Sequence, residues 1–322
     1  MAMNRKGQPY IVVVGGANVD IGGRSFAPLI PGDSNPGVVS VSLGGVGRNI
    51  AHNLSLLSMD VRFLTALGDD SSARLLTDSC GELKIDLSRA LRVPGGKTST
   101  YLFLSNPDGD MALALSDMAL CDRISPEYLA SQEPLLQGAR LVIADANIPA
   151  ASLAWLADHV SVPIFADPVS VRKAEKLRPV LSRLHTLKPN RAEAEFLSGI
   201  RILDEASLLR AARVLLDTGL QRIFLSLGAW GVLAADRHQA LLFPCAPARP
   251  VSTTGAGDAF MAALAWAESE DLSLAEAARA AVSSAALAIE SDAAVNPDLS
   301  LDALRCRIAA HPELMPRELH FA

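Results

Sequence analysis

The stretch Ser252-Thr253-Thr254-Gly255-Ala256-Gly257-Asp258 carries the most legible chemistry in this chain. Gly255, Ala256 and Gly257 leave backbone N–H groups uncovered where an apolar helix begins, running from Ala259 to Ala267. A helix N-terminus has unpaired donors and a partial positive charge, so it can hold a phosphate or a developing oxyanion. Asp258 stands beside that hole, where a carboxylate can take the proton of an attacking hydroxyl; an ordinary Asp, with a pKa of about 4, is ionised and ready at neutral pH. An anion hole with an adjacent base describes phosphoryl transfer to an alcohol. A plain helix after a glycine-rich turn has the same letters, so the decision falls to the rest of the chain.

Four further clusters bear on it. Asn18 and Asp20 alternate along an extended segment after Gly15-Gly16, so both can face one pocket and bind sugar hydroxyls; an Asx-turn is the alternative. That segment lacks G-x-G-x-x-G spacing and an acidic residue at the end of a second strand, which argues against a dinucleotide fold. Gly44-Gly45-Val46-Gly47-Arg48-Asn49 opens a helix, with Gly45 allowing close approach of a ligand and Asn49 projecting from the first turn. Asn190 and Glu193, three apart at a helix start, suit a water-mediated Mg²⁺ shell and equally a capping box. Ser226-Leu227-Gly228-Ala229-Trp230-Gly231 is either a hairpin or a phosphate-admitting turn. No G-x-x-x-x-G-K-[ST] loop is present, so ATP use must follow another design.

These clusters need a scaffold, and the chain supplies strands alternating with helices. Candidate strands are 11–14, 61–67, 141–144, 163–166, 186–187, 223–227 and 232–235; helical spacing covers 48–58, 71–80, 150–159, 191–198, 205–218, 257–268, 274–289 and 299–310. That rhythm predicts an α/β fold with a mostly parallel sheet covered on both faces, its site at the carboxyl ends of the strands. Asp167-Pro168 ends one strand and reads as structural. Segments at about 22–43 and 96–118 break the rhythm, the second around the turn Asn106-Pro107-Asp108-Gly109. They predict a small separate sheet, either a water-excluding lid or a decorated sheet edge.

The chain has 322 residues, half of them hydrophobic, and is read as a single domain over 1–322. A net charge of −6 argues against nucleic acid or an anionic membrane as partner. The four cysteines form no C-x-x-C pair and the six histidines have no ligand spacing, so neither a zinc site nor a disulfide framework is expected, and a cytoplasmic setting is. The N-terminus, although positively charged, leads straight into a strand and not into a signal peptide. The run Ala259–Ala267 is too short to span a bilayer.

In this order, the motifs resemble the PfkB family of ribokinase-like carbohydrate kinases: 44–51 matches its first signature and 252–262 its second, with Asn190-x-x-Glu193 and Ser226-x-Gly228-x-x-Gly231 between. The resemblance covers roughly residues 10–297. It implies a three-layer α/β/α fold with a small β-sheet lid. Asp258 would be the base, and the Gly255, Ala256 and Gly257 backbone the anion hole. ATP and Mg²⁺ would be handled by Lys188, Asn190, Glu193, Ser226, Gly228, Gly231 and Gly257. Asn18, Asp20, Gly45, Asn49 and Asn147 would hold the acceptor. Ser252 and Thr254 would lie on the loop where many members bind a monovalent cation such as K⁺, although ribokinases carry Asp where Ser252 stands. Within the family, 33–37, 142–148, 167–170, 185–191 and 296–300 most resemble members that phosphorylate pseudouridine. The base of that nucleoside would be read by polar residues of the inserted segments: Ser34, Asn35, Thr98, Ser99 and Asp117. Relatives imply a homodimer clasped through the lid. A kinase of another nucleoside or sugar, and a non-catalytic nucleoside-binding protein, are the alternatives.

Overall fold

The computed structural model describes residues 9–321; the charged N-terminal segment read above for targeting lies outside the described residues. Among these residues the main sheet has nine strands. Its parallel part follows directly from short β-branched and apolar runs, of which only the edge strand Asp60–Leu64 alternates with charged residues, Asp60 and Arg62. Tyr10–Val14 pairs in parallel with Asp60–Leu64 on one side and Leu141–Asp145 on the other; Ile164–Asp167, Thr186–Leu187 and Arg222–Ser226 continue the parallel series. Val232–Ala235, Ala240–Phe243 and Arg317–Leu319 then complete the sheet antiparallel.

Both faces are covered, and the alternation within one strand shows it. Ile11 and Val13 join the core formed with the helices Val46–Leu56, Ala256–Ser269 and Leu274–Ala288, whereas Val12 and Val14 join the core formed with Ala150–His159, Arg191–Ser198 and Glu205–Asp217. Such two-sided burial explains why these strands read as unbroken apolar runs. The result is the expected three-layer α/β architecture with a mostly parallel sheet.

A second, four-stranded sheet consists of Asn18–Ser25, Gly37–Gly44, Thr100–Ser105 and Met111–Asp117. Cross-strand register assigns its faces. Ser42, Asp20, Tyr101 and Ser116 form one row, on the face that also carries Asn18. Val39, Gly23, Leu104 and Leu113 form another, with Val41, Ile21, Leu102 and Leu115 beside it on the opposite face. That second face is exposed: Val39, Val41, Leu113 and Leu115 each keep more than half of their surface in solvent (72%, 59%, 57% and 64%).

Three elements are poorly marked in the sequence. The last two strands of the sheet, Ala240–Phe243 and the edge strand Arg317–Leu319, are too short to show a period, and the 3-10 stretch Glu175–Arg183 contains Pro179. No helix among the described residues is long and apolar enough to cross a membrane.

Candidate active site

The helix Ala256–Ser269 begins with Gly255 at φ +78°, and a Cβ there would collide with the Ala294 carbonyl oxygen; only glycine can make this entry. No side chain caps the helix, and the N–H groups of Ala256, Gly257 and Asp258 find no partner among the described residues. The anion hole is therefore open. Asp258, 9% exposed, sits in its first turn and accepts a hydrogen bond from Asn49 Nδ2 at 2.9 Å. Burial pushes its carboxyl up to about 7, with the Asp167 and Asp145 charges adding to the effect and Asn49 and Lys188 opposing it. This corrects the expectation of an ordinary carboxylate near 4: the group is poised close to neutral pH, where a general base is most effective.

Lys188 leaves the end of Thr186–Leu187 and brings its ammonium to this same turn. Nζ lies 3.1 Å from Asp167 Oδ2, and a Cβ on Gly257 would be 2.9 Å from it. Burial alone would depress the Lys188 pKa, but Asp167, Asp258 and Glu193 together hold it above its usual value. Asp167 is thus a partner of the site and not only a strand end. Asn190 and Glu193 form a reciprocal capping box: Asn190 Oδ1 accepts from Glu193 N, and Glu193 Oε2 accepts from Asn190 N. Each residue keeps one polar group for other use. Burial raises the Glu193 pKa, and the carboxylate remains close enough to Lys188 to interact with its charge.

Around Asn49, Asp145 organises the loops. Its fully buried carboxylate accepts N–H bonds from Gly16 (2.9 Å), Gly47 (2.8 Å) and Asn147 (2.8 Å). It thereby joins the loop after Tyr10–Val14, the start of Val46–Leu56 and its own loop. Gly45, at φ +97°, packs against the Gly16 and Ala17 backbone, so its missing side chain serves this close contact. Asn18 donates to Asp20 Oδ1 at 2.6 Å, and Arg48 donates to Asn49 Oδ1 at 3.3 Å. Asn147 accepts from Lys173 Nζ.

The inserted segments contribute differently from expectation. Thr98 is 3% exposed and already engaged: its hydroxyl donates to Asp70 and accepts from Gly68 N, and its own N–H bonds Asp70, so it pins a loop. Ser99 is buried against Cys121. Asn35 spends its amide on Ile30 and Asp33 within its own turn, next to exposed Ser34. Asp117 is exposed at the end of its strand. In one row with Asp20 stand instead Ser42, Tyr101 and Ser116, none of which the sequence singled out; the alternation of Val39-Val41 with Ser40-Ser42 was the available signal.

Beyond the anion hole lies a cavity of about 490 Å³. Lys188, Ser226, Gly228, Gly231 and Gly257 line its polar end; Val282, Ala285, Ala286 and Ile289 line its apolar wall. Gly228 and Gly231 adopt positive φ in the turn of the Arg222–Ser226/Val232–Ala235 hairpin. The Ser252 hydroxyl accepts from Thr254 N in the approach to Gly255. Among the described residues no three His, Cys, Asp or Glu side chains are grouped to hold a metal ion.

Residues 8–300 match the pattern of the pfkB family of carbohydrate kinases. The chain is 40% identical over 295 residues to a pseudouridine kinase of Escherichia coli, covering 91% of this chain and 94% of that protein. It is 38% identical to an uncharacterized sugar kinase of the same bacterium, covering 92% and 82%. Its fold superposes on Arabidopsis thaliana ribokinase complexed with ribose and ATP with a TM-score of 0.85 at 23% identity, over 93% of this chain and 98% of that one.

Proposed function

The chain belongs to the pfkB family of carbohydrate kinases, and on that premise we propose that it transfers the γ-phosphoryl group of ATP to the 5′-hydroxyl of pseudouridine. The enzyme class is an ATP-dependent phosphotransferase with an alcohol acceptor. The observation that carries the mechanism is the buried Asp258 carboxylate beside three unpartnered N–H groups at the mouth of a nucleotide-sized cavity. Similarity to the E. coli pseudouridine kinase over most of both chains supports the choice of acceptor.

In this reading the purine occupies the apolar wall formed by Val282, Ala286 and Ile289, and the phosphates run past Ser226, Gly228 and Lys188 toward Gly257. The acceptor lies between Asp258 and the face carrying Asn18 and Asp20, with Asn147 at its edge. Asn49 aims the carboxylate, Asp258 takes the 5′-hydroxyl proton late in transfer, and the N–H groups of Ala256 and Gly257 with the Lys188 ammonium receive the charge of the phosphoryl oxygens. Glu193 and Asn190, each with one polar group left, fit an Mg²⁺ ion that keeps most of its waters and arrives with the phosphates; such an ion supplies charge neutralisation there. Ser252 and Thr254 offer no carboxylate and no buried orphaned oxygen, so no step is assigned to a monovalent cation.

The four-stranded sheet serves as the lid of a single domain, its Asp20 face toward the acceptor. Its other face, with Val39, Val41, Leu113 and Leu115 exposed, suits a second copy of this chain in an isologous dimer. Four free cysteines fit a cytoplasmic enzyme.

The test is ADP release from ATP and Mg²⁺ with pseudouridine, uridine, adenosine and ribose offered separately. Strong preference for pseudouridine is expected. Turnover of uridine at an equal rate refutes the acceptor, and a folded, ATP-binding protein silent with all four refutes the activity.

A further inference from the structure

We propose that Asp167 is a positioning residue of the phosphoryl-transfer step: it parks the Lys188 ammonium at the N-terminal turn of the Ala256–Ser269 helix, where that ammonium meets the transferring group. The proposal rests on the kinase reading above and adds a residue to it.

Three observations converge on this pair. First, the contact is buried and direct: Nζ lies 3.1 Å from Asp167 Oδ2, with the two side chains 9% and 6% exposed. Second, the ammonium lies close over Gly257, where a Cβ would come within 2.9 Å of it. A cation beside a helix N-terminus brings two positive poles together, an arrangement that becomes favourable when an anion sits between them. Third, the orientation of Asp167 is itself fixed. Its Oδ1 accepts from Val169 N at 2.8 Å, and Val169 is held at φ +65°, a region β-branched residues avoid. Strain of this kind persists where the surroundings over-determine it, and here it locks a carboxylate that in turn locks a lysine.

Lysine is flexible and carries three donors. With one taken by Asp167, the head group is held at a fixed place while other donors stay free for phosphoryl oxygens. The same geometry sets the charge environment of Asp258. The charged and polar groups facing Asp258 are Asn49 from the Val46–Leu56 helix, Asp145 and Asp167 from two adjacent strand ends, and Lys188 from a third; Glu193 faces Lys188. Asp167 therefore acts on the site twice, through the position of Lys188 and through the proton affinity of Asp258.

The experiment compares pH profiles of kcat/KM for wild type, Asp167→Asn and Lys188→Met, with circular dichroism and thermal unfolding as fold controls. Asp167→Asn should lower kcat about tenfold or more, leave the acceptor KM within a few-fold, and move the acid limb of the profile to lower pH, because one negative charge near Asp258 is gone. Lys188→Met should move the same limb to higher pH. A pair that only braces the fold would weaken stability from either side and move neither limb, and that result overturns the proposal. Should Asp167→Asn fail to fold, Asp167→Glu decides: it keeps the charge but displaces the carboxylate from Lys188, so kcat lowered with the acceptor KM within a few-fold supports the proposal and an unchanged kcat overturns it. Wild type inactive with every acceptor would refute the kinase reading, and the proposal with it; active wild type with unmoved limbs refutes the proposal alone.

Discussion

Replacing Asp258 by Asn moves activity and stability in opposite directions, and the size of the second effect follows from the site. In the folded chain the Asp258 carboxyl is pushed from its ordinary 3.8 up to about 7, chiefly by burial. An acid raised in this way is protonated in the native state and ionised in the unfolded one over the interval between those values. Stability is therefore lost as pH climbs from about 4 to about 7, and the loss is complete above that. At about 1.36 kcal/mol per pKa unit the full loss is about 4 kcal/mol, of which about 3 kcal/mol falls between pH 5 and pH 8. Asn cannot ionise and escapes it. Urea unfolding at pH 8 should find Asp258→Asn more stable than wild type, by a margin about 3 kcal/mol wider than at pH 5. ADP release with pseudouridine should fall about a thousandfold, with ATP affinity by calorimetry little changed. A stability margin independent of pH would show that the carboxyl is not held protonated, and near-normal turnover would remove Asp258 from its role as base.

Asn49→Ala removes the hydrogen bond that favours the Asp258 anion, so the acid limb of kcat/KM should move to higher pH by about half a unit or more; the pH–rate profile reads it. Asp145→Asn turns an amide donor toward buried N–H groups, and should cost about 2 kcal/mol in urea unfolding while raising the acceptor KM far more than the ATP KM. Val39→Lys with Leu113→Lys places charges in one row of the exposed apolar face; sedimentation should show a dimer of wild type becoming monomeric while turnover per chain is retained.

Much of this architecture was legible because the central parallel strands are buried on both faces and so appear as compact apolar runs, as at Tyr10–Val14 and Leu141–Asp145. The helix starts were legible for a similar reason: Gly255 and the Asn190/Glu193 box mark their ends by backbone geometry and by short-range hydrogen bonds. What stayed hidden depends on contacts distant in sequence. Asp145 looks like a strand end until Gly16 and Gly47 are seen to converge on it, and Asp167 until Lys188 arrives from the next strand. The proton affinity of Asp258 was misjudged for the same cause, since burial and neighbouring charges belong to the assembled site. The bond from Thr98 to Asp70, which caps a helix elsewhere, was hidden for the same reason: it joins segments distant in sequence.

The hydrogen bond from Asn49 to Asp258 joins positions 209 apart. Synthesis from the N-terminus therefore completes the segments proposed to hold the acceptor, from Asn18 to Asn147, before those proposed to handle ATP. A nascent chain lacks Asp258 and the Gly255–Gly257 turn until part of its last third has emerged, and on the kinase reading it cannot turn over nucleotide before then. The Ala256–Ser269 helix packs against Val46–Leu56, so the Asn49–Asp258 pair exists only when both ends of this long span are in place, and competence for chemistry reports on the fold of nearly the whole chain.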